Sequence, residues 1–287
     1  MSSINATFED AIRVIPQGSN KYSAHLRPEW CIGTVPHGGY TAAVIYKLAL
    51  THFSYAHPEQ YDTPATPISL QLSFLRRTAA GPTILEVEDL KLGTRTSTIQ
   101  AKLFQPSEKD PGRLELKLTG FITVSPPSAE VGISASTGWK PYPATPLGSL
   151  ADGRVNLSSL AQIGRDGAWI KLNTPFPEFR RAGTQVELYG PSKRFTHLEQ
   201  TESMVVDQWS RFRPGGDKSA RWTDAAVVYL TDMFPMAMNG FDSVSTTAVA
   251  KTQGTSSGKQ VKFWYPTVTL NIEMKKHLPT EGGGVAI

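Results

Sequence analysis

An α+β protein built from two copies of one helix-on-sheet unit is predicted by three observations. First, Thr41-Ala42-Ala43-Val44-Ile45-Tyr46-Lys47-Leu48 matches Asp224-Ala225-Ala226-Val227-Val228-Tyr229-Leu230-Thr231 in pattern, and both lie in stretches dense in helix-compatible residues. Second, each is followed by a run that alternates apolar and polar residues at period two, Leu70-Gln71-Leu72-Ser73-Phe74 and Leu270-Asn271-Ile272-Glu273-Met274. Third, Ser125 to Gly153 is punctuated by Pro126, Pro127, Gly132, Gly138, Pro141, Pro143, Pro146, Gly148 and Gly153, which deny regular helix or central strand. A repeat has to be sought before anything else, because missing one misassigns the whole fold. The expected organisation is an N-terminal unit over 1–125, a Pro/Gly-rich linker over 126–160 and a C-terminal unit over 161–287.

The elements follow in order. After the first helix and the strand over 70–74 come Arg76-Arg77, then runs at 83–90, 96–104 and 114–124 whose alternation and short turn signals make an antiparallel meander. The second unit opens with candidate strands at 184–189 and around 202–207, then its helix, and closes on the run over 270–274 followed by Lys275-Lys276-His277. One helix laid on a curled antiparallel sheet, twice over, is an α+β arrangement.

Composition narrows the classes. The chain has 287 residues, 39% hydrophobic and 19% charged, which suits two modules and excludes wholesale disorder. No apolar run reaches membrane-spanning length, and Met1-Ser2-Ser3-Ile4-Asn5 lacks the parts of a signal peptide, so a soluble, intracellular protein is expected. Cys31 is the only cysteine, which rules out an intramolecular disulfide and a cysteine-based zinc cluster. A net charge of +4 with a pI near 9.1 weakly favours an anionic ligand, and phosphate on a small molecule explains it better than nucleic acid, for no Lys/Arg block stands out.

Several motifs can be set aside. The six histidines, His25, His37, His52, His57, His197 and His277, show no ligand spacing, so no metal is expected. Gly254-Thr255-Ser256-Ser257-Gly258 matches G-x-S-x-G, but Lys259 to Tyr265 after it reads as a strand, where a nucleophile elbow needs a helix. Gly215-Gly216-Asp217-Lys218-Ser219 lacks the Gly-Lys of a phosphate-binding loop.

Gly38 and Gly39 open the first helix and leave its N-terminal N–H groups uncovered by side chains, where they attract anions and polarised carbonyls. The plainer alternative is that the two glycines let the helix pack tightly, with His37 beside them as a capping or packing residue.

Trp30-Cys31-Ile32-Gly33-Thr34-Val35-Pro36-His37-Gly38-Gly39-Tyr40-Thr41-Ala42 resembles the thioesterase-like proteins of the double hot-dog fold, relatives of acyl-CoA thioesterase II. Phe74-Leu75-Arg76-Arg77 before Gly81, and Leu92-Gly93-Thr94-Arg95-Thr96-Ser97, are similar to two further stretches of that family. The resemblance covers roughly 7–125 well and 180–280 less well. It implies a tandem hot-dog fold and hydrolysis of an acyl-CoA or related acyl thioester by an activated water, with no cofactor beyond the CoA thioester as substrate. Tyr229-Leu230-Thr231-Asp232-Met233-Phe234-Pro235 resembles the family's helix segment that bears the water-activating aspartate, which falls at Asp232. The family's threonine falls at Thr269, with Thr267 as the neighbouring choice. The thioester carbonyl would face His37, Gly38 and Gly39, or their counterpart near Trp222-Thr223. Arg76, Arg77, Lys275 and Lys276 are the candidates for the phosphates of CoA, or are simply solvated strand ends.

The family's third residue, a glutamine near the chain's end, has no counterpart. With the first unit as template, the second stops about 40 residues early and is expected to lack its last strands. An open sheet edge invites association, so a homo-oligomer is expected. The expected compartment is the cytoplasm, with the peroxisome open if the chain continues past Ile287. Two other functions stay open: dehydration or cyclisation of a polyketide-like acyl intermediate on the same fold, and non-catalytic binding of an acyl ligand or partner.

Overall fold

The computed structural model describes residues 7–133, 135–138, 140, 144–192, 207–233 and 265–278. A short helix α1 (Phe8–Ala11) leads into the hairpin β1 (Val14–Gly18) and β2 (Lys21–Leu26), then the two-residue strands β3 (Cys31–Ile32) and β4 (Val35–Pro36). The long helix α2 (Gly38–Ala56) follows, and after it β5 (Thr66–Phe74), β6 (Gly81–Lys91), β7 (Ser97–Pro106) and β8 (Leu114–Ser125). From Leu157, still inside the stretch expected as linker, come α3 (Leu157–Ile163), β9 (Arg165–Asp166), β10 (Trp169–Leu172), β11 (Val186–Pro191), β12 (Trp209–Phe212), α4 (Asp224–Leu230) and β13 (Thr269–Glu273).

All strand pairings among the described residues are antiparallel. A seven-stranded sheet runs β1-β2-β6-β7-β8-β5-β13, and a four-stranded sheet runs β12-β11-β10-β9. Helix α2 is buried nearly all round, with Tyr40, Ala42, Ala43, Val44, Ile45, Leu48 and Ala49 at the centre of the core. A helix apolar on every side belongs inside, and here it lies against β1, β5 and α4. Its alanines let the sheet come close.

The register of β13 on β5 reports how the two units relate. Leu70 faces Ile272, Gln71 faces Asn271 and Leu72 faces Leu270. In the repeat, Leu70 corresponds to Leu270 and Leu72 to Ile272, so this crossed pairing is what a two-fold axis through Gln71 and Asn271 requires. The halves share one core. Trp30 stacks on Tyr40 with ring centroids 5.6 Å apart and meets Tyr229 edge-on at 5.0 Å, while Phe8 meets Phe212 at 5.2 Å. Such pairs add about 0.5–1.5 kcal/mol each beyond burial.

Three expectations need adjusting. The strand expected over 184–189 begins at Val186, because Arg181–Gln185 turn as a 3₁₀ helix whose Ala182 carbonyl accepts from the buried Tyr229 hydroxyl. The helix over 224–231 ends at Leu230, so Asp232 sits in the turn after it rather than on it. The strands read at 202–207 and 259–265 fall almost wholly outside the described residues, as do the G-x-S-x-G segment, His197 and everything after Leu278, where the second unit's missing strands were expected.

Candidate active site

The start of α2 and the turn after α4 meet at the wall of a cavity of about 630 Å³. The meeting is close because two glycines permit it. A Cβ on Gly38 would fall 2.6 Å from Asp232 Oδ2 and 2.5 Å from Thr267 Oγ1, and one on Gly39 would run into the Tyr229 carbonyl oxygen. The close packing expected of the pair is therefore present, and Gly38, but not Gly39, also lines the cavity.

Asp232 is held from two directions. The Gly39 N–H donates to its Oδ2 at 2.9 Å, and the Thr267 hydroxyl lies 3.0 Å from each carboxylate oxygen. The carboxylate is 14% exposed, and His37 Nε2 stands 3.5 Å from Oδ2. His37 precedes the helix at its N-cap without capping it through its side chain. Burial pulls the imidazole below its usual range against the opposing pull of the Asp232 charge, so His37 is neutral at neutral pH. Its Nδ1 is buried with no hydrogen-bond partner among the described residues. The Gly39 N–H is taken by Asp232, which leaves the Gly38 N–H, with no described partner, as the backbone donor at the cavity.

The remaining sequence candidates separate. Thr269 does not reach Asp232: it is exposed, and as the first residue of β13 it is fixed opposite Ser73. Thr267, two residues earlier and outside the strand, is the threonine in contact. Arg76 and Arg77 line the cavity, the first paired with Glu115 at 3.0 Å and the second donating to the Thr34 hydroxyl. Lys275 and Lys276 do not line it, and Lys275 is an exposed partner of Glu273 at 3.1 Å. Near Trp222-Thr223 a smaller cavity of about 390 Å³ is bordered by Phe212, Arg221 and Thr223, but Trp222 itself is buried in a stack on Phe212 at 5.1 Å.

Sequence reasoning missed Arg180 and Phe179. Both reach the cavity because the loop after Phe176 is tied to the β3–β4 turn, where the Gly33 N–H donates to the Phe179 carbonyl at 2.6 Å and Arg181 donates to the Gly33 carbonyl at 2.8 Å. The Arg180 guanidinium has no hydrogen bond or ion pair among the described residues, its Nε is buried, and burial pulls it below its usual value. Phe74, Leu75, Val35 and Val268 supply the apolar lining. Together these make a pocket of ligand-binding size with a carboxylate in one wall and arginines in another. Cys31, the one thiol, is buried, and burial pushes it up to about 11, far from a nucleophilic thiolate.

This fold and pocket define a tandem hot-dog protein. Residues 26–125 match the family model of the acyl-CoA thioesterase N-terminal domain, and residues 158–286 match that of the C-terminal domain. The chain belongs to the acyl-CoA thioesterase family, with both of its hot-dog domains on one polypeptide. It is 30% identical to the thioesterase-like protein TwmA of Talaromyces wortmannii over 303 residues, covering 97% of this chain and 80% of that one. Among solved structures it is similar to a protein of Thermobifida fusca YX assigned as a thioesterase II, with TM-score 0.57 and 20% identity over 95% of this chain and 82% of that one. A conserved hot-dog protein of unknown function from Alicyclobacillus acidocaldarius matches with TM-score 0.54 and 19% identity, covering 80% and 70%. Both structural likenesses speak to the fold. No helix among the described residues is long and apolar enough to cross a membrane.

Proposed function

We propose that the protein hydrolyses an acyl-CoA or related acyl thioester, using a water activated by Asp232. The observation that carries this is the carboxylate's setting: it is 14% exposed at a cavity wall and clamped by the Gly39 N–H and the Thr267 hydroxyl. Those two donors fix its orientation and leave lone pairs to accept from a water in the cavity. As the water oxygen bonds to the thioester carbonyl carbon, its proton passes to Asp232. The charge that develops on the carbonyl oxygen is met by the Gly38 N–H at the start of α2, where the helix dipole adds to the effect. Collapse breaks the C–S bond, and the departing thiolate takes the proton from Asp232, which restores the carboxylate.

Neutral His37, 3.5 Å from Asp232, orients the carboxylate and takes no part as a permanent cation. Arg76, Arg77 and Arg180 suit the phosphates of CoA or a carboxylate on the acyl group. Free thiol released from a chain-length series of acyl-CoAs tests the reading. Asp232→Asn is expected to lower kcat by at least about 100-fold with the thermal midpoint little changed. An unchanged kcat in that variant would remove Asp232 from the mechanism. Thiol release from no ester, with dehydration or cyclisation of a polyketide-like thioester in its place, would move the reaction to another chemistry on the same fold.

A further inference from the structure

The far end of α2 carries a second concentration of chemistry, about 20 Å or more along the helix axis from Gly38. His52 is completely buried, with its Nε2 2.8 Å from Asp89 Oδ1 and its Nδ1 2.7 Å from the Tyr22 hydroxyl. His57, the C-cap residue of the same helix, places its Nε2 3.0 Å from Asp89 Oδ2. The ligand-capable atoms of His52, His57 and Asp89 all lie within 4.8 Å of one another. Spacing along the chain hides this set, because the carboxylate comes from β6. Asp89 stands where the β6–β7 register slips between Asp89 and Lys91, and a bulge of this kind re-aims a side chain.

From this geometry we infer that His52, His57 and Asp89 form a binding site for a first-row divalent transition-metal ion of the zinc type. Two imidazoles and one carboxylate are a borderline donor set that suits zinc or cobalt better than magnesium or calcium. A tetrahedral ion at about 2.0–2.1 Å from each ligand sets them roughly 3.4 Å apart. His52 and Asp89 need to open slightly from 2.8 Å, and His57, partly exposed at the helix end, closes by side-chain rotation. The support a metal-bound histidine needs is in place: with Nε2 on the ion, the proton sits on Nδ1 and is donated to Tyr22. No Lys or Arg is paired with Asp89 among the described residues, so its charge faces only imidazoles, and burial disfavours a charge on His52. A divalent ion supplies the missing positive charge. The exposed sides of His57 and Asp89, at 19% and 24%, leave the fourth position to water and give the ion its way in. Bound there, it ties the end of α2 to β6, which makes it a structural clamp remote from the cavity.

The test uses the full-length protein stripped of metal, with Zn²⁺ and Co²⁺ as probes. Expected are uptake of one Zn²⁺ per chain by calorimetry and by elemental analysis after gel filtration, visible ligand-field bands with Co²⁺, and a rise in the thermal midpoint of roughly 5–10 °C at a hundredfold excess over Kd. His57→Ala and Asp89→Asn should abolish all three, and His25→Ala, an exposed histidine, should leave them intact. His52→Ala is avoided because it opens the core. Should either variant fail to fold, Zn²⁺ on the unaltered protein should still shield His57, and not His25, from diethyl pyrocarbonate. Absence of stoichiometric uptake, uptake that survives His57→Ala and Asp89→Asn, or equal modification of His57 with and without Zn²⁺ would each overturn the assignment.

Discussion

Replacing Thr267 and Thr269 separately by valine distinguishes two threonines that sequence pattern treats alike. Valine keeps the shape of threonine and removes the hydroxyl. At 267 this takes away a donor 3.0 Å from both oxygens of Asp232, and at 269 it changes an exposed residue on a strand. A hydrogen bond to a charged group is worth about 1.5–3 kcal/mol. If that energy serves to hold the carboxylate toward the attacking water, Thr267→Val lowers kcat by roughly 10- to 150-fold, since about 1.4 kcal/mol is a factor of ten. Thr269→Val stays within about twofold, because valine at an exposed strand position is well tolerated. The assay is thiol release at saturating and limiting acyl-CoA, with a thermal melt on each variant. Equal losses at both positions, or full activity in Thr267→Val, would refute the view that the loop before β13 supplies the orienting hydroxyl.

Three further outcomes follow. Gly39→Ala gains about 1 kcal/mol of helix propensity but drives a Cβ into the Tyr229 carbonyl, where overpacking costs about 2–3 kcal/mol; a melt should fall by roughly 2–8 °C, and an unchanged melt would show that the approach of α2 to α4 is loose. Arg180→Met should raise KM for acyl-CoA by about tenfold or more with kcat little changed, while stability holds or rises because a buried Nε without a partner is gone from a half-buried side chain; an unaltered KM would remove Arg180 from ligand binding. For His37 the folded value lies below the usual 6.5, so the unfolded chain takes the proton first: its contribution is intact above about pH 6.5 and is lost as pH falls toward the folded value, at up to about 1.4 kcal/mol per pH unit. Urea melts near pH 7 and near pH 5.5 should show a shallower acid loss in His37→Asn than in the parent, and identical slopes would mean that the folded imidazole takes up its proton as readily as the unfolded one.

Much of the first unit was legible because its strands are long and half-buried. The runs over 83–90, 96–104 and 114–124 emerge as β6, β7 and β8, the first three residues longer than its sequence signal and the other two one residue longer. Strand β1 was not legible, since Pro16 and Gly18 argue against a strand, yet an edge strand tolerates both. Its hairpin turns at Ser19 and Asn20, both at positive φ (50° and 56°), without the Asn-Gly that would announce such a turn. The threonine pair marks another limit. Period-two alternation puts 267 and 269 on one face, and only the pairing of Thr269 with Ser73 shows that the strand starts there and leaves Thr267 to the loop. Arg180 carries no pattern at all, for its place depends on Gly33, whose φ of 60° and lack of a Cβ let the Phe179 ring lie against it. His52, His57 and Asp89 fail every motif for the same reason: their proximity is made by strand order.

The near two-fold relation between the halves raises the question of why the two helix starts differ, the first bordering a cavity of about 630 Å³ and the second one of about 390 Å³. The repeat sets Gly38 and Gly39 opposite Arg221 and Trp222. Where Gly39 lets Asp232 and the Tyr229 carbonyl approach the backbone, Trp222 fills the equivalent space with an indole stacked on Phe212. The first turn of α4 is further occupied by the protein's own groups: Asp224 accepts from the Leu278 N–H at 3.1 Å and lies 2.7 Å from His277 Nδ1, whose Nε2 is 3.0 Å from the Thr66 hydroxyl. A carboxylate at a helix N-terminus already satisfies the dipole that would otherwise draw an anion or a polarised carbonyl. Duplication therefore produced two related helix starts, and the side chains at 221–224 converted one into a structural joint. On the proposed reading, that asymmetry assigns thioester binding to the start of α2, with the second half contributing Asp232 and Thr267 to the same cavity wall.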